Sequence, residues 1–180
     1  MTFRRLPFVV LLPAAVLCAF FVGRQSSSVP LAAAAGLPDL GRAHFSGWHA
    51  GRGLVVVPSE FTPEETAERL ELAATEGGAN VVADIDHAAA AAGAGLELRP
   101  TRVLLIGNPN AGTPLMVASQ ITGIDLPLKF VIYEDAQGRV LLAYNSAWYL
   151  RRRHRIRGED ELLRMIEANQ RALAAAATQS

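Results

Sequence analysis

An α+β fold is predicted: a single domain with one mainly antiparallel sheet and helices packed on one face. Three features of the sequence carry that expectation. Apolar runs of strand length recur at Leu54, Ala79, Thr101, Leu126 and Arg139. Helix-start signals, a capping residue followed by proline, fall between them at Thr62-Pro63 and Thr113-Pro114. The last two runs are separated by Asp135-Ala-Gln-Gly138, a turn that makes them an antiparallel hairpin. With 180 residues, 51% of them apolar, the chain can bury one sizeable core, and its length favours one domain over two.

The N-terminal 35 residues read as a signal peptide or membrane anchor. Arg4 and Arg5 form a positive start, and Leu6 to Val22 carries no charge, near the lower length limit for crossing a bilayer. Ala32 to Ala35 supplies small residues for cleavage, although they lie beyond the usual distance from the apolar run. Cleaved or retained, the segment places the domain outside the cytoplasm, periplasmic, secreted or anchored at the inner membrane. Leu17 before Cys18 argues against a lipoprotein, and the single cysteine excludes a disulfide framework within one chain. Net charge is zero over the whole chain and mildly acidic without this segment, so nucleic acid is not an expected partner. Residues 36–52, rich in small residues and glycine, are expected to be a flexible linker, and His44 and His49 are linker histidines rather than a metal pair.

The domain is expected over 53–176. Leu54 to Pro58 is the first strand, closed by its proline. Thr62-Pro63-Glu64-Glu65 starts a helix with Ala67, Leu70 and Ala74 inward, and Gly77-Gly78 ends it. Ala79 to Ile85 is the second strand, Ala88 to Ala92 a short helical turn, and Thr101 to Gly107 a mostly apolar, central strand. Asn108 to Gly112 reads as a turn before a helix running from Thr113 to about Ile121. Leu126 to Glu134 places Leu126, Leu128, Phe130 and Ile132 on one face, and Arg139 to Tyr144 pairs with it. A final helix begins near Glu159, buries Leu162, Leu163, Ile166 and Leu173, and frays in alanines.

Several blocks of text then carry a specific resemblance. They are Asp84-Ile-Asp-His87, Gly95-Leu-Glu-Leu-Arg-Pro-Thr101, Gly107-Asn-Pro-Asn-Ala-Gly-Thr-Pro-Leu-Met116, Asp125-Leu-Pro-Leu128 and Tyr144-Asn145, with Tyr149-Leu150 and His154 beyond. In this order and spacing they resemble domain-of-unknown-function (DUF) family 302, over roughly residues 53 to 157. The resemblance implies a small α+β domain similar to the TATA-binding-protein-like folds, often a homodimer, with no established catalytic assignment.

The candidate site residues follow from their chemistry. His87, titratable near neutrality and following two carboxylates, is the candidate acid or base, or an imidazole bonded to backbone. Asp84, Asp86, His87 and His154 are candidate metal ligands, though no pair has a diagnostic spacing. Glu97 and Arg99, two apart in an extended stretch, would share a face and form either a salt bridge or a clamp for an anionic ligand. Asn108, in a turn before a helix N-terminus, and Asp125 complete the candidate ligand set. The run Arg151 to Arg157, after Trp148 and Tyr149, is either a helix face paired with Glu159, Asp160 and Glu161 or a surface for anionic lipid or an acidic partner.

Three functions stay open: a module binding a small anionic ligand or metal near His87, Glu97, Arg99 and Asn108; an acid–base enzyme using His87 and Arg99; and an interaction module without ligand. No cofactor is identifiable. The missing nucleophile–base pair and metal motif weaken the enzyme case.

Overall fold

The computed structural model describes residues 53–180, so the N-terminal apolar run, Cys18, the linker, His44 and His49 lie outside the described residues. From Gly53 onward the elements run β1 (Leu54–Pro58), α1 (Pro63–Glu76), β2 (Asn80–Asp86), α2 (His87–Gly93), β3 (Thr101–Gly107), α3 (Pro109–Ala118), a 3₁₀ turn (Gln120–Ile124), β4 (Leu128–Glu134), β5 (Val140–Asn145), α4 (Ala147–His154) and α5 (Asp160–Thr178). The five strands form one sheet in the order β1-β5-β4-β3-β2, every neighbouring pair antiparallel. This is the α+β layer that the spacing of strand and helix signals predicts.

Two apolar clusters hold the domain together. In the larger, Leu104, Ile106, Phe130, Ile132, Leu142 and Tyr144 on one sheet face meet Ala67, Leu70 and Ala74 of α1 and Ala174 and Ala177 of α5. The alanines on both helices keep α1 and α5 short-sided, so α5 packs down to Thr178 instead of fraying. There Thr178 Oγ1 donates to the Ala174 carbonyl at 2.7 Å, and the Thr178 carbonyl accepts from Glu60 N–H at 3.0 Å. The second cluster joins Leu115 of α3, Ala147 and Leu150 of α4, Ile156, and Leu163 and Ile166 of α5.

Local chemistry explains most boundaries. Thr62 accepts from Glu65 N–H and Pro63 opens α1, as the sequence predicts. Helix α3 starts earlier than predicted because Asn108-Pro109 is a second cap-then-proline pair: Asn108 Oδ1 accepts from Asn110 N–H at 2.9 Å, and Thr113-Pro114 falls inside the helix. The helix ends at Ala118, and the chain continues as the 3₁₀ turn. Strand β4 begins at Leu128, after a cis Leu126-Pro127 bond. Gly53 sits at positive φ where a Cβ would come within 2.5 Å of Tyr149, so glycine is required at the entry to β1.

One irregularity redirects a charge. Val81 pairs with Ile106, but Ala83 pairs with Leu105, so Val82 is an inserted residue that shifts the register. The shift turns Asp84 to the side of Leu104, the helix-bearing face, where it meets Arg102.

The β4–β5 hairpin is closed by Asp135. Its carboxylate accepts from the Gln137 and Arg139 N–H groups at 2.9 Å and from Arg139 Nε at 2.7 Å, while Gly138 takes positive φ. Burial alone would raise the Asp135 pKa; the bonds from Arg139 and Gln137 outweigh it and hold the carboxyl below its ordinary value. A depressed carboxyl pKa stabilises the fold above the unfolded value and is lost as pH falls through the folded one. Asp135→Asn is therefore expected to lower Tm at neutral pH, with the gap to wild type closing once pH falls below about 4. A thermal melt series across pH checks this, and a gap that stays constant into acid contradicts it.

Candidate functional site

The candidate residues are distributed over two ends of the sheet. His87 is the first residue of α2 and exposed, while the side chain capping that helix belongs to Asp86, whose Oδ1 accepts from Ala89 N–H at 2.8 Å. Asp84 is engaged in a bidentate pair with Arg102, one bond of 2.6 Å, and the hydrogen bond to Asp84 keeps the Arg102 pKa above its usual value. Glu97 and Arg99 lie in an exposed loop rather than a strand and form no ion pair with each other; Arg99 Nε donates to the Glu134 carbonyl at 3.1 Å, stapling the loop to the end of β4. Asn108 follows the other end of β3, roughly 20 Å away at about 3.3 Å per strand residue. The expected grouping of His87, Glu97, Arg99 and Asn108 is thus not formed, because β3 separates its members. Among the described residues no three His, Cys, Asp or Glu side chains converge on a point that could hold a metal.

Asp125 and His154 are brought together, a pairing their 29-residue separation conceals. His154 is buried, and its Nε2 lies 2.6 Å from Asp125 Oδ2; Arg153 Nε reaches the same oxygen at 3.2 Å. Arg153 also hydrogen-bonds to the Tyr149 hydroxyl. The cluster ties the C-terminal end of α4 to the bend between the 3₁₀ turn and β4. Of the arginine run, Arg151 pairs with Asp160 at 2.8 Å, as the solvated-face alternative expects, and Arg153 is committed to Asp125.

The feature that sequence reasoning missed is a cleft of about 660 Å³, open on one side, between α1, α3, α5 and the Gly107 end of β3. Ala73 and Ala74 form the α1 wall, Leu115 and Met116 the α3 wall, and Ile166, Ala172, Leu173 and Ala176 the α5 wall. Gly123, Leu126 and Pro127 close one end, next to the Asp125 cluster. Asn108 lies at its edge, where its Nδ2 donates to the Gly78 carbonyl at 3.1 Å and couples the α1–β2 turn to α3. The lining is mainly apolar, and its described residues include no lysine or arginine. Gln170 of α5 also contributes to the wall. It is 1% exposed, its Nε2 donates to the Asn145 carbonyl at 2.8 Å, and its Oε1 has no hydrogen-bond partner. The one sequence signal was a polar residue in phase with Leu163, Ile166 and Ala174 on the inward stripe of a helix.

Comparison with known proteins agrees with the architecture. The family "Domain of unknown function DUF302" matches residues 55–176, about two thirds of the chain. The crystal structure of an uncharacterised DUF302 protein from Bacillus stearothermophilus superposes with a TM-score of 0.64 at 21% identity, covering 69% of this chain and 98% of that one, which is a likeness of fold. Among curated proteins, "Fluoride-specific ion channel FluC 1" of Brucella suis is 42% identical over 102 residues, 57% of this chain and 40% of that protein. The protein of the same name in Brucella abortus is also 42% identical over 102 residues, 38% of its length. The chain spans about two fifths of the length of these relatives. No helix among the described residues is long and apolar enough to cross a membrane.

Because Asp125 and His154 meet only in the folded protein, they are expected to be energetically coupled. In a double-mutant cycle of Asp125→Ala and His154→Ala, urea unfolding should give an interaction energy within about 0.5–3 kcal/mol. Strict additivity would mean that the contact adds nothing to the fold.

Proposed function

The chain belongs to the DUF302 family, and we propose that it is a small-molecule-binding module whose ligand lies, apolar body inward, between α1, α3 and α5. The observation that carries the reading is the cleft itself. Its volume falls within the range of small-molecule sites, and it is lined by hydrophobic side chains with a few polar groups. The small anion expected near His87, Glu97 and Arg99 has less support, since an exposed His87 and an Arg99 stapled to Glu134 leave no enclosed cationic site. The acid–base alternative rested on the same two residues and loses support with it.

The module is proposed to act outside the cytoplasm, secreted or held at the membrane through residues 6–22, and as a homodimer. The apolar N-terminal run supports the location. The Brucella relatives, named as ion channels, support proximity to a membrane. Val82 at 59% and Ile85 at 41% exposure on the edge strand β2 support pairing with a second copy.

Native mass spectrometry of the full chain tests both parts. Ala172 is exposed on the cleft wall, so Ala172→Trp should fill the cleft while leaving the fold intact. The wild type is expected at twice the chain mass with a small-molecule adduct, and the variant at the same mass without it. An adduct absent from wild type, or retained in Ala172→Trp, sinks the ligand reading, and a monomer mass sinks the dimer.

A further inference from the structure

Helix α4 and the turn after it carry more positive charge than the fold neutralises. Residues 147–157 hold five arginines and no acid. Two are engaged: Arg151 pairs with Asp160 at 2.8 Å, and Arg153 with Asp125 at 3.2 Å. The other three, Arg152, Arg155 and Arg157, are exposed and make no hydrogen bond, ion pair or ring contact among the described residues. Arg155 is the most unusual of them. It ends α4 at φ 52°, a left-handed position where glycine is the residue without strain, yet its side chain makes no polar contact in the described fold.

The side chains around these arginines point to what they meet. Trp148 is 60% exposed, and helical period sets it on one stripe with Arg152, a turn further on. Arg153 holds Asp125 and so brings the 3₁₀ turn against α4. In that turn Ile121 and Ile124 are 66% and 63% exposed, and their spacing of three puts them on one side of it. The chain also joins the domain at this helix. The Gly53 carbonyl accepts from Ser146 N–H at 2.8 Å, and Gly53 abuts Tyr149, so everything N-terminal to Gly53, the apolar run 6–22 included, connects to the domain at α4.

We propose that the exposed side of α4 docks the domain on an anionic phospholipid membrane, with the three free arginines on lipid phosphates and Trp148 at the boundary between headgroups and acyl chains. This rests on the reading that the chain is held at a membrane and adds which face meets the lipid. Guanidinium groups bond phosphate oxygens in pairs, and a tryptophan ring, apolar with one N–H donor, favours that boundary. An acidic protein would match the charges alone. A lipid surface offers phosphate and hydrocarbon together, beside the point where an anchored chain enters the domain.

Trp148 fluorescence of the full chain tests the proposal, with Trp48→Phe leaving Trp148 as its single tryptophan. The protein is mixed with vesicles of phosphatidylcholine, or of phosphatidylcholine and phosphatidylglycerol in equal parts. Co-sedimentation with both vesicles reports the apolar run, whereas Trp148 emission reports the α4 face. A blue shift and a loss of acrylamide quenching are expected only with phosphatidylglycerol, and high salt should reverse them. Replacing Arg152, Arg155 and Arg157 together by glutamine should abolish both signals, and replacing them by lysine should keep them, since the headgroup field acts on charge. Equal shifts on both vesicles, or shifts that survive the glutamine substitutions, overturn the assignment. If the chain co-sediments but Trp148 does not respond, the docking falls and the anchor stands. Co-sedimentation with phosphatidylglycerol vesicles alone, with the shift, sinks the anchor and keeps the docking, and co-sedimentation with neither overturns both. The comparison between the two vesicles decides the matter even if a substituted chain misfolds.

Discussion

One helix has to complete two separate cores. The first half of α5 lends Leu163 and Ile166 to the cluster beneath α3 and α4, and its second half lends Ala174 and Ala177 to the cluster on the sheet. Helical period fixes which residues point inward, and the step between the two halves falls on Gln170. Neither cluster fills the space at that crossing, and the cleft is what remains. The sheet cannot close it, since β3 ends at Gly107, and α3 cannot, since its N-terminus is held out to the α1–β2 turn by Asn108.

The cleft's borders are held by polar contacts rather than by further apolar packing. Asn108 fixes the α3 border. The Asp125–His154 contact, extended by Arg153, fixes the bend that contains Leu126 and Pro127. On the far side of α5, Glu167 accepts from Ala147 N–H at 2.8 Å and so locks α4 to α5. These bonds span different elements, so the cleft keeps its shape without the side chains inside it having to meet. That is the physical condition for a preformed site, whose binding cost is lowered because little must be ordered on association.

Much of the architecture was legible because local rules and tertiary packing agree. Thr62-Pro63 opens α1, the alternation through Phe130 and Ile132 is a sheet face, and Asp135 with Gly138 is a turn. Helix α3 was misplaced because two cap-then-proline pairs stand five residues apart and local chemistry does not rank them; the link from Asn108 to Gly78, thirty residues away, favours the first. The site was less legible. Its walls are alanine, glycine and leucine, residue types that read as ordinary core, whereas His87 and Arg99 attracted notice by chemistry and end up exposed, one at the start of α2 and the other in a loop. The register shift at Val82 likewise leaves no local mark, yet it decides that Asp84 meets Arg102.

The most direct measurement of the central claim is methyl NMR of the full chain during titration with 1-naphthol. Met116, Ile106 and Ile166 border the cleft, while Ile85 lies exposed on β2 and Val131 on the β4 side away from the helices. Saturable shifts at the first three methyl groups, with Ile85 and Val131 unmoved, are what a ligand site between α1, α3 and α5 requires. Shifts confined to exposed groups such as Ile85, or none that saturate, would contradict it.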